Sequence, residues 1–240
     1  MEVINYLVGY EGMKIVQNTE YFNFSLDSVL LANFITIRSK VKNIIDLGTG
    51  NAPIPLLLST RTNANIIGVE IQEPIYQLAI KSVEINNLKN QIKILNEDVR
   101  TIDKHFDSDS FDIVLSNPPY FKYNKDSLVN NNYCKTVARH EVMLNIDDIL
   151  KVSKKLLKNQ GYFGIVHRPD RMIEILNKMK EYNIEPKRIR FIYPNKDETC
   201  NIILIEGIKN GKEGIKIESP LFVHDRKGNY TREVRKMFGE

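Results

Sequence analysis

The stretch "IIDLGTGNAPIPLLL" (residues 44–58) decides the fold of this 240-residue chain. Gly48 and Gly50 separate a β-branched run, which predicts a strand, from an apolar segment at Pro53, a residue suited to the first turn of a helix. Glycines at such a turn let backbone N–H groups approach a ligand closely. Pro53 breaks the dinucleotide pattern G-x-G-x-x-G, and Asp46 would repel a pyrophosphate. The turn therefore favours a cationic ligand that carries an amino-acid group.

Short apolar runs alternate with helical stretches on the carboxyl side of this turn. Strands alternating with helices predict a parallel sheet covered on both faces, and the last two runs have no helix between them, so the last strand is expected to be antiparallel. We therefore expect an α/β, Rossmann-like fold with a mostly parallel seven-stranded sheet. The predicted strands lie at 43–47, 65–70, 92–95, 111–116, 162–167, 188–193 and 200–209, and the helices at 53–61, 73–87, 146–158 and 170–182.

Carboxylates follow the second and third predicted strands as well as the first. Glu70, with Ile71 beside it, can accept hydrogen bonds from both hydroxyls of a ribose. Asp98 can accept from the exocyclic amine of an adenine while the Val99 N–H donates to its ring. Each acid alone is more typical of a helix cap or a solvated loop. Because the carboxyl ends of parallel strands share one edge, the ordered set with Asp46 indicates a pocket for S-adenosylmethionine (SAM).

The fourth predicted strand ends in "SNPPYF" (116–121), a turn that two prolines make stiff. A conjugated amine is a poor nucleophile unless acceptors draw its two hydrogens out of the ring plane. The Asn117 oxygen and the carbonyl of Pro118, held in direction by Pro119, supply two such acceptors. Tyr120 can stack on the base. The turn predicts methyl transfer to a planar amine, with adenine, cytosine, guanine N2 and a glutamine amide all left open.

At this point the chain resembles the Asn-Pro-Pro-Tyr group of SAM-dependent methyltransferases, and more narrowly the bacterial tRNA adenine-N6 methyltransferases that modify adenine 37 of a valine tRNA. The resemblance covers nearly the whole chain. It implies that the cofactor residues above, with Asn117, hold SAM, and that "FSLDSVLLA" (24–32) lies over the methionine end of SAM. Ala52 departs from the family, where many members have a third glycine. The supporting stretches are "FNFSLDSVLLANF" (22–34), "IIDLGTGNAPIPLLL", "SNPPYF", "ARHE" (138–141), "GIVHRPDRMIEIL" (164–176) and "PLFVHDRKGNYTREV" (220–234).

The charge is uneven along the chain, although the formal net charge is only +4. Residues 1–150 carry 14 Lys and Arg against 18 Asp and Glu, whereas residues 151–240 carry 20 against 12. A basic flank of this kind suits a polyanion, and an anticodon loop offers an adenine that is already unpaired. His167 is expected on this flank as well. The predicted RNA contacts are Lys122, Lys125, Lys135, Arg139, Arg168, Arg171, Arg226 and Lys227.

Three segments are expected: an N-terminal cap or substrate segment (1–42), the SAM-dependent methyltransferase domain (43–209) and a small basic extension (210–240). A long polar loop is expected at 121–145. No run is apolar enough to span a membrane, the first residues lack a signal-peptide pattern, and neither the cysteines nor the histidines have metal-ligand spacing. A cytoplasmic, metal-free monomer is therefore expected, with tRNA as its partner.

Two alternatives from other classes remain. A protein glutamine-N5 methyltransferase acting on a release factor would share the Asn-Pro-Pro-Tyr turn, but such enzymes usually carry a longer helical domain before the glycine turn. A binding protein without catalysis would be expected to have lost that turn. Other RNA or DNA amino-methyltransferases also fit the turn, although no separate target-recognition domain follows residue 210.

Overall fold

The computed structural model describes residues 1–7, 12–19, 26–120 and 144–239. The helices are α1 (Leu26–Phe34), α2 (Pro53–Ser59), α3 (Glu73–Ile85), α4 (Ile146–Leu156), α5 (Met172–Glu181) and α6 (Arg232–Met237), with short 3-10 helices at Val99–Lys104 and Pro169–Arg171. The strands are β1 (Glu2–Tyr6), β2 (Lys14–Asn18), β3 (Asn43–Leu47), β4 (Asn65–Val69), β5 (Ile92–Leu95), β6 (Phe111–Ser116), β7 (Leu157–His167), β8 (Ile184–Tyr193), β9 (Ile202–Lys209), β10 (Lys216–Ile217) and β11 (Leu221–Phe222).

A nine-stranded sheet forms the centre, in the order β5-β4-β3-β6-β7-β9-β8-β10, with β11 also paired to β8. The strands from β5 to β7 pair in parallel, whereas β9 runs antiparallel to both β7 and β8. The seven strands expected from sequence are all present, with the last one antiparallel. Two further strands come from residues 210–240, which extend the same sheet along the outer edge of β8.

The sheet is buried on both faces, which explains why its central strands read as continuous apolar runs. On one face Ile44 belongs to the same apolar cluster as Leu30 of α1 and Leu57 of α2. On the other face Ile45 belongs to the cluster that contains Ile149 of α4. Helices cover both faces as predicted, so the loops at the carboxyl ends of the strands are left to form a site.

The N-terminal hairpin is attached to this domain by hydrogen bonds that include two at its second strand. β1 and β2 form an antiparallel hairpin, and the Val16 N–H of β2 donates to the Ser82 hydroxyl of α3 at 2.9 Å. The Asn51 side chain, within the glycine turn, donates to the Val16 carbonyl at 2.9 Å. The hairpin is therefore tied directly to the turn that decides the fold. Within the described ranges, no helix has the length and hydropathy needed to cross a bilayer.

Candidate active site

The glycine turn between β3 and α2 leaves open space above its backbone. Gly48 and Gly50 have φ values of +79° and +60°, and a Cβ built on either would meet no atom within 4 Å. The N–H groups of Gly48 and Thr49 both donate to the Val69 carbonyl, at 3.0 and 2.8 Å, and the Gly50 N–H donates to Glu70 Oε2 at 3.1 Å. The turn is fixed by β4 and its outer side can receive a ligand.

Asp46 lies below this turn with no exposed surface. Among the described residues, neither its carboxylate oxygens nor the neighbouring Thr49 hydroxyl has a hydrogen-bond partner. Burial raises the pKa of Asp46 to about 7; the adjacent Thr49 hydroxyl opposes this rise in part, and the nearby Glu70 carboxylate adds to it. Buried polar atoms in folded proteins almost always have partners, so three such atoms without one, beneath a turn that is open on its outer side, favour a ligand with donors or positive charge at this turn.

Glu70 follows β4 and is 6% exposed. Its Oε1 accepts from the Gln72 N–H at 2.8 Å. Burial raises the pKa of Glu70, although hydrogen bonds from the backbone N–H groups of Gln72 and Gly50 oppose the rise. Ile71 beside it is 37% exposed and leaves apolar surface at the end of β4. The Asn96 side chain donates to the carbonyls of Glu70 and Ile71, at 2.9 and 3.2 Å, and so joins the ends of β4 and β5.

Asp98 caps the 3-10 helix that starts at Val99. Its carboxylate accepts from the Arg100 backbone N–H at 2.8 Å and from the Arg100 guanidinium at 3.0 Å, and the guanidinium hydrogen bond is the main cause of its lowered pKa. That Asp98 accepts a hydrogen bond from an adenine amine stays a prediction. Its carboxylate would have to accept that bond in addition to those from Arg100. Val99 is buried beneath the same edge.

The Asn-Pro-Pro-Tyr turn (residues 117–120) follows β6 and reaches across to the first turn of α1. The Asn117 Nδ2 donates to the Ser28 hydroxyl at 3.1 Å. The Tyr120 hydroxyl lies 2.7 Å from Asp27 Oδ2 and 3.0 Å from Asn117 Oδ1, in donor geometry toward both. Burial, followed by the Asp27 carboxylate, raises the pKa of Tyr120, so its phenol is neutral at physiological pH. Pro118 is buried and holds this turn against the sheet.

Two residues at the end of β7 flank the Tyr120 ring: His167, its last residue, and Arg168, which follows it. The His167 ring centroid lies 5.2 Å away, and the Arg168 guanidinium lies over the ring, also at 5.2 Å. His167 is 1% exposed and accepts from the Arg168 N–H through Nδ1 at 2.8 Å. Burial, and then the cation of Arg171, lowers its pKa to about 4. The expectation that His167 belongs to an RNA-facing flank is wrong because its buried, neutral ring supports Tyr120 instead.

The predicted RNA contacts differ in how well they could meet a phosphate. Arg226 and Lys227 lie on an exposed turn, and Arg168 is exposed while donating to the Asn201 carbonyl at 2.9 Å. Arg171 has a side chain only 13% exposed and pairs with Glu174 at 2.7 Å, so it is poorly placed for that role. The structure describes only the last two residues of the predicted loop at 121–145. The other four predicted contacts therefore lie outside the described residues: Lys122, Lys125, Lys135 and Arg139.

Sequence reasoning missed the side chains that connect the site. It singled out "FSLDSVLLA" as a stretch near the cofactor, but nothing in the spacing indicated that Asp27 and Ser28 contact the Asn-Pro-Pro-Tyr turn. Asn51 and Asn96 were also not identified, since an isolated asparagine in a loop has many roles. Within the part of the chain that the structure describes, no three His, Cys, Asp or Glu side chains gather as a metal ion would require.

Comparisons with known proteins agree with this geometry. A family model described as a methyltransferase domain matches residues 38–218. A relative from Bacteroides thetaiotaomicron is named tRNA1(Val) (adenine(37)-N6)-methyltransferase and is 29% identical over 216 residues, covering 89% of this chain and 87% of the relative. A relative of the same name from Phocaeicola vulgatus is 30% identical over 168 residues, covering 70% and 68%.

Solved structures share the fold at lower sequence identity. A predicted O-methyltransferase from Agrobacterium tumefaciens superposes with a TM-score of 0.71 and 20% identity, covering 88% of this chain and 95% of the other. Geranyl diphosphate C-methyltransferase from Streptomyces coelicolor, solved with S-adenosyl-L-homocysteine, gives a TM-score of 0.58 and 11% identity over 76% of this chain and 74% of the other. At these identities the likeness concerns the fold alone.

Proposed function

Because this chain belongs to the methyltransferase-domain family, and within it to the tRNA1(Val) (adenine(37)-N6)-methyltransferases, we propose that it methylates the N6 amine of an unpaired adenine in tRNA, adenine 37 of a valine tRNA. One observation carries the proposal. The Asn117 amide is held at the end of β6, next to the end of β3, where Asp46 and Thr49 have buried polar atoms without partners among the described residues.

The residues around the glycine turn fit SAM, the methyl donor of this family. SAM supplies a methyl group on a positively charged sulfur, which leaves as a neutral thioether when the methyl is taken. Asp46 and Thr49 offer unpaired acceptors beneath the turn, and Gly48 and Gly50 leave the room that a Cβ would fill. We propose that Glu70 binds the ribose hydroxyls. The adenine side of the pocket would be formed by Ile71, Asp98 and Val99, and Asn117 would border both ligands.

The Asn-Pro-Pro-Tyr turn would activate the target amine by geometry rather than by removing a proton beforehand. An adenine N6 lone pair is delocalised into the ring and becomes available only when the nitrogen approaches tetrahedral geometry. Asn117 Oδ1 and the Pro118 carbonyl would accept its two hydrogens and favour that geometry. Since the alkylated nitrogen is strongly acidic, its proton would be released to water after transfer. Pro119 fixes the carbonyl direction, so little reorganisation is needed during the reaction.

Tyr120 would hold the base by stacking, which is worth about 1–3 kcal/mol per base. Its ring is kept in place by the buried His167 and by the hydroxyl contact to Asp27. The guanidinium of Arg168 lies over that ring, so we propose that it borders the base as well as the neighbouring phosphate. In an anticodon loop the adenine is already unpaired, and extruding it costs less than opening a duplex.

The partner proposed is the anticodon stem-loop of a tRNA, bound by a monomeric enzyme in the cytoplasm. Arg168, Arg226 and Lys227 supply exposed positive charge in the described part of the chain, and Lys122, Lys125, Lys135 and Arg139 would add to it. Binding through phosphates releases counterions, so tRNA affinity should fall steeply with salt concentration. An affinity that stays flat between 50 and 200 mM salt, roughly the range over which phosphate contacts are sensitive, would argue against this surface.

The decisive experiment is incubation of the full chain with SAM and total tRNA from cells that lack the modification, followed by nucleoside analysis. We expect N6-methyladenosine, and we expect it at position 37 of a valine tRNA when purified species are compared. A parallel reaction with a release factor tests the glutamine alternative. Methylglutamine on that protein, with no methylated adenine in the tRNA, would overturn the proposed function.

A further inference from the structure

We propose that Asp27 and Ser28, in the first turn of α1, are positioning residues that hold the Asn117 amide with its oxygen, and not its nitrogen, toward the target amine. The geometry of this inference comes from side-chain contacts in the structure. Its consequence for catalysis rests on the proposed function. It assigns a chemical task to two residues that sequence analysis associated only with a stretch above the cofactor.

Ser28, together with the Tyr120 hydroxyl, determines which end of the Asn117 amide is used. The Asn117 Nδ2 lies 3.1 Å from the Ser28 hydroxyl, which is 4% exposed and therefore not replaceable by bulk water. Because a serine hydroxyl can donate or accept, the second contact completes the assignment: the Tyr120 hydroxyl lies in donor geometry 3.0 Å from Oδ1 and marks that end of the amide as the acceptor. A flipped amide would present NH2 to the NH2 of the substrate, a donor facing a donor, and would not draw the amine toward tetrahedral geometry.

Asp27 determines how much of that oxygen remains available. A phenol has one proton, and two acceptors compete for the proton of Tyr120. Asp27 Oδ2 is charged and lies at 2.7 Å, whereas Asn117 Oδ1 is neutral and lies at 3.0 Å. Hydrogen bonds to charged acceptors are shorter and about twice as strong as neutral ones, so the proton goes mainly to Asp27. The Tyr120 hydroxyl therefore makes only a weaker second contact with Asn117 Oδ1, which keeps the oxygen end of the amide on this side and leaves its other lone pair for the substrate.

The helix that carries both residues is held rigidly. Val29, Leu30 and Leu31 directly follow Ser28 and have no exposed surface. At the other end of α1 the Arg61 guanidinium donates to the Ala32 carbonyl. A positioning role requires that the positioning group itself does not move, because a catalytic side chain is only as well oriented as its supports. The packing of α1 meets that requirement.

The first test is a double-mutant cycle between Ser28 and Asn117 in the full chain. Ser28→Ala should lower kcat for tRNA methylation about 10- to 100-fold, the range for one lost oriented hydrogen bond, with little change in the KM for tRNA. If Ser28 acts through Asn117, the variant Ser28→Ala with Asn117→Ala should be no slower than Asn117→Ala alone. An unchanged kcat for Ser28→Ala, or effects that multiply in the double variant, would overturn the proposal.

Two further variants separate positioning from folding. Ser28→Thr keeps the hydroxyl and should restore most of kcat, whereas Ser153→Ala removes a fully buried helical hydroxyl remote from this turn and should leave kcat unchanged. A comparable loss of kcat in Ser153→Ala would mean that Ser28→Ala reports only helix stability. That result would count against positioning.

Asp27 is tested through the proton that it takes from Tyr120. In Asp27→Asn the phenol should turn its proton toward Asn117 Oδ1, and kcat should fall about 3- to 10-fold, since a neutral acceptor is weaker than a charged one. Adding Tyr120→Phe removes the competing proton and should recover part of that loss. If Tyr120→Phe deepens the loss instead, Asp27 does not act by holding the phenol proton.

A readout without catalysis separates this inference from the proposed function. The side-chain amide signals of Asn117 can be followed by NMR in 15N-labelled protein and assigned by their loss in Asn117→Ala. Ser28→Ala should shift them and speed their hydrogen exchange, and Ser153→Ala should not. If the wild type methylates no tRNA but these shifts appear, the substrate is wrong and the positioning stands. If Ser28→Ala leaves the Asn117 amide signals unshifted, the positioning role is refuted whatever the substrate is.

Discussion

The two halves of the site are prepared for their ligands in opposite ways. Around the glycine turn, three buried polar atoms of Asp46 and Thr49 have no partner among the described residues. In the Asn-Pro-Pro-Tyr turn, the Asn117 amide and the Tyr120 hydroxyl are both hydrogen-bonded to α1. Under the proposed function, the cofactor half is completed by its ligand, whereas the reacting half is completed in advance and does not reorganise during the reaction.

This difference has an energetic consequence. Unpaired buried atoms destabilise the empty protein, and the free energy is recovered when a ligand with matching donors binds. Acceptors held in place by the protein contribute little to binding the ground state, but they stabilise charge and geometry that develop only in the transition state. Changes in the cofactor half should therefore alter affinity and stability, and changes in the reacting half should alter rate.

The largest effect is expected from Asn117→Ala. Loss of one preorganised acceptor lowers kcat by about 10²- to 10³-fold in comparable sites, and because the glycine turn is untouched, SAM affinity should remain that of the wild type. The measurement is kcat by incorporation of labelled methyl into tRNA, with SAM binding by calorimetry. The control is Asn65→Ala, because Asn65 is the first residue of β4 and lies at the amino-terminal ends of the parallel strands, away from both turns. A kcat near wild type, or a SAM affinity that falls with it, would break the division between the two halves.

The next effect concerns Gly50→Ala, which puts a methyl group into the space above the turn. The positive φ should cost about 1 kcal/mol of folding stability, and the Cβ should weaken SAM binding about 10- to 100-fold because it meets the ligand rather than the protein. Gly228→Ala is a matched control. Gly228 also has a positive φ, of +81°, and open space around it, but it lies on the exposed turn that carries Arg226 and Lys227. Equal SAM affinity in both variants would show that the cofactor does not lie against Gly50.

The third effect is a pH dependence of stability that comes from Asp46. Because its pKa is raised to about 7 in the folded protein from 3.8, the unfolded chain loses this proton at lower pH, and stability should fall as pH rises between about 4 and 7. Asp46→Asn removes the buried charge. The variant should exceed the wild type in unfolding free energy by about 2–4 kcal/mol at pH 8 and match it near pH 4, while binding SAM more weakly.

Asp112→Asn is the control with the opposite sign. Burial alone would raise the pKa of Asp112, but hydrogen bonds from Lys158 and from the backbone of Lys42 and Asn43 lower it overall. Its stabilising contribution is present above its unfolded pKa and is lost as pH falls through its lowered folded value. Urea unfolding from about pH 2.5 to 8 covers the titration windows of both carboxylates and measures both variants. Curves for Asp46→Asn and wild type that stay parallel across this range would refute the raised pKa.

The fold was largely predictable because the central strands carry their own signal. β3, β4 and β6 are buried on both faces, so each reads as an apolar run, and Gly48 and Gly50 mark the turn that follows the first. A short strand and a helix were expected after residue 210, but the positions and pairing of β10 and β11 were not predicted, since two residues give no periodicity and their pairing is supplied by the edge of β8. The helix end at Leu156 was placed two residues late for a related reason, because β7 begins at once where it pairs with β6.

The site was predictable only in part. Residues that act through the backbone or the end of a strand, such as Gly48, Glu70 and Asn117, could be placed because topology brings strand ends together. Ser28 and Asn117 are 89 residues apart, and no local pattern indicates that their side chains meet. Contacts between distant elements depend on packing angles that a single sequence does not encode locally. The cofactor half was therefore easier to predict than the supports of the reacting half.

The smallest effect sharpens the comparison inside the cofactor half itself. Ala52 caps α2 with a φ of +71°, a conformation that costs an alanine about 1 kcal/mol relative to glycine, yet its methyl group is fully buried. Ala52→Gly relieves the backbone but removes a buried methyl worth about 0.8 kcal/mol. The two terms nearly cancel, so unfolding free energy should change by less than about 1 kcal/mol and SAM affinity should not change. Because Gly50 borders open space and Ala52 is buried, a loss of SAM affinity in Ala52→Gly would mean that the third position of the turn also shapes the cofactor pocket.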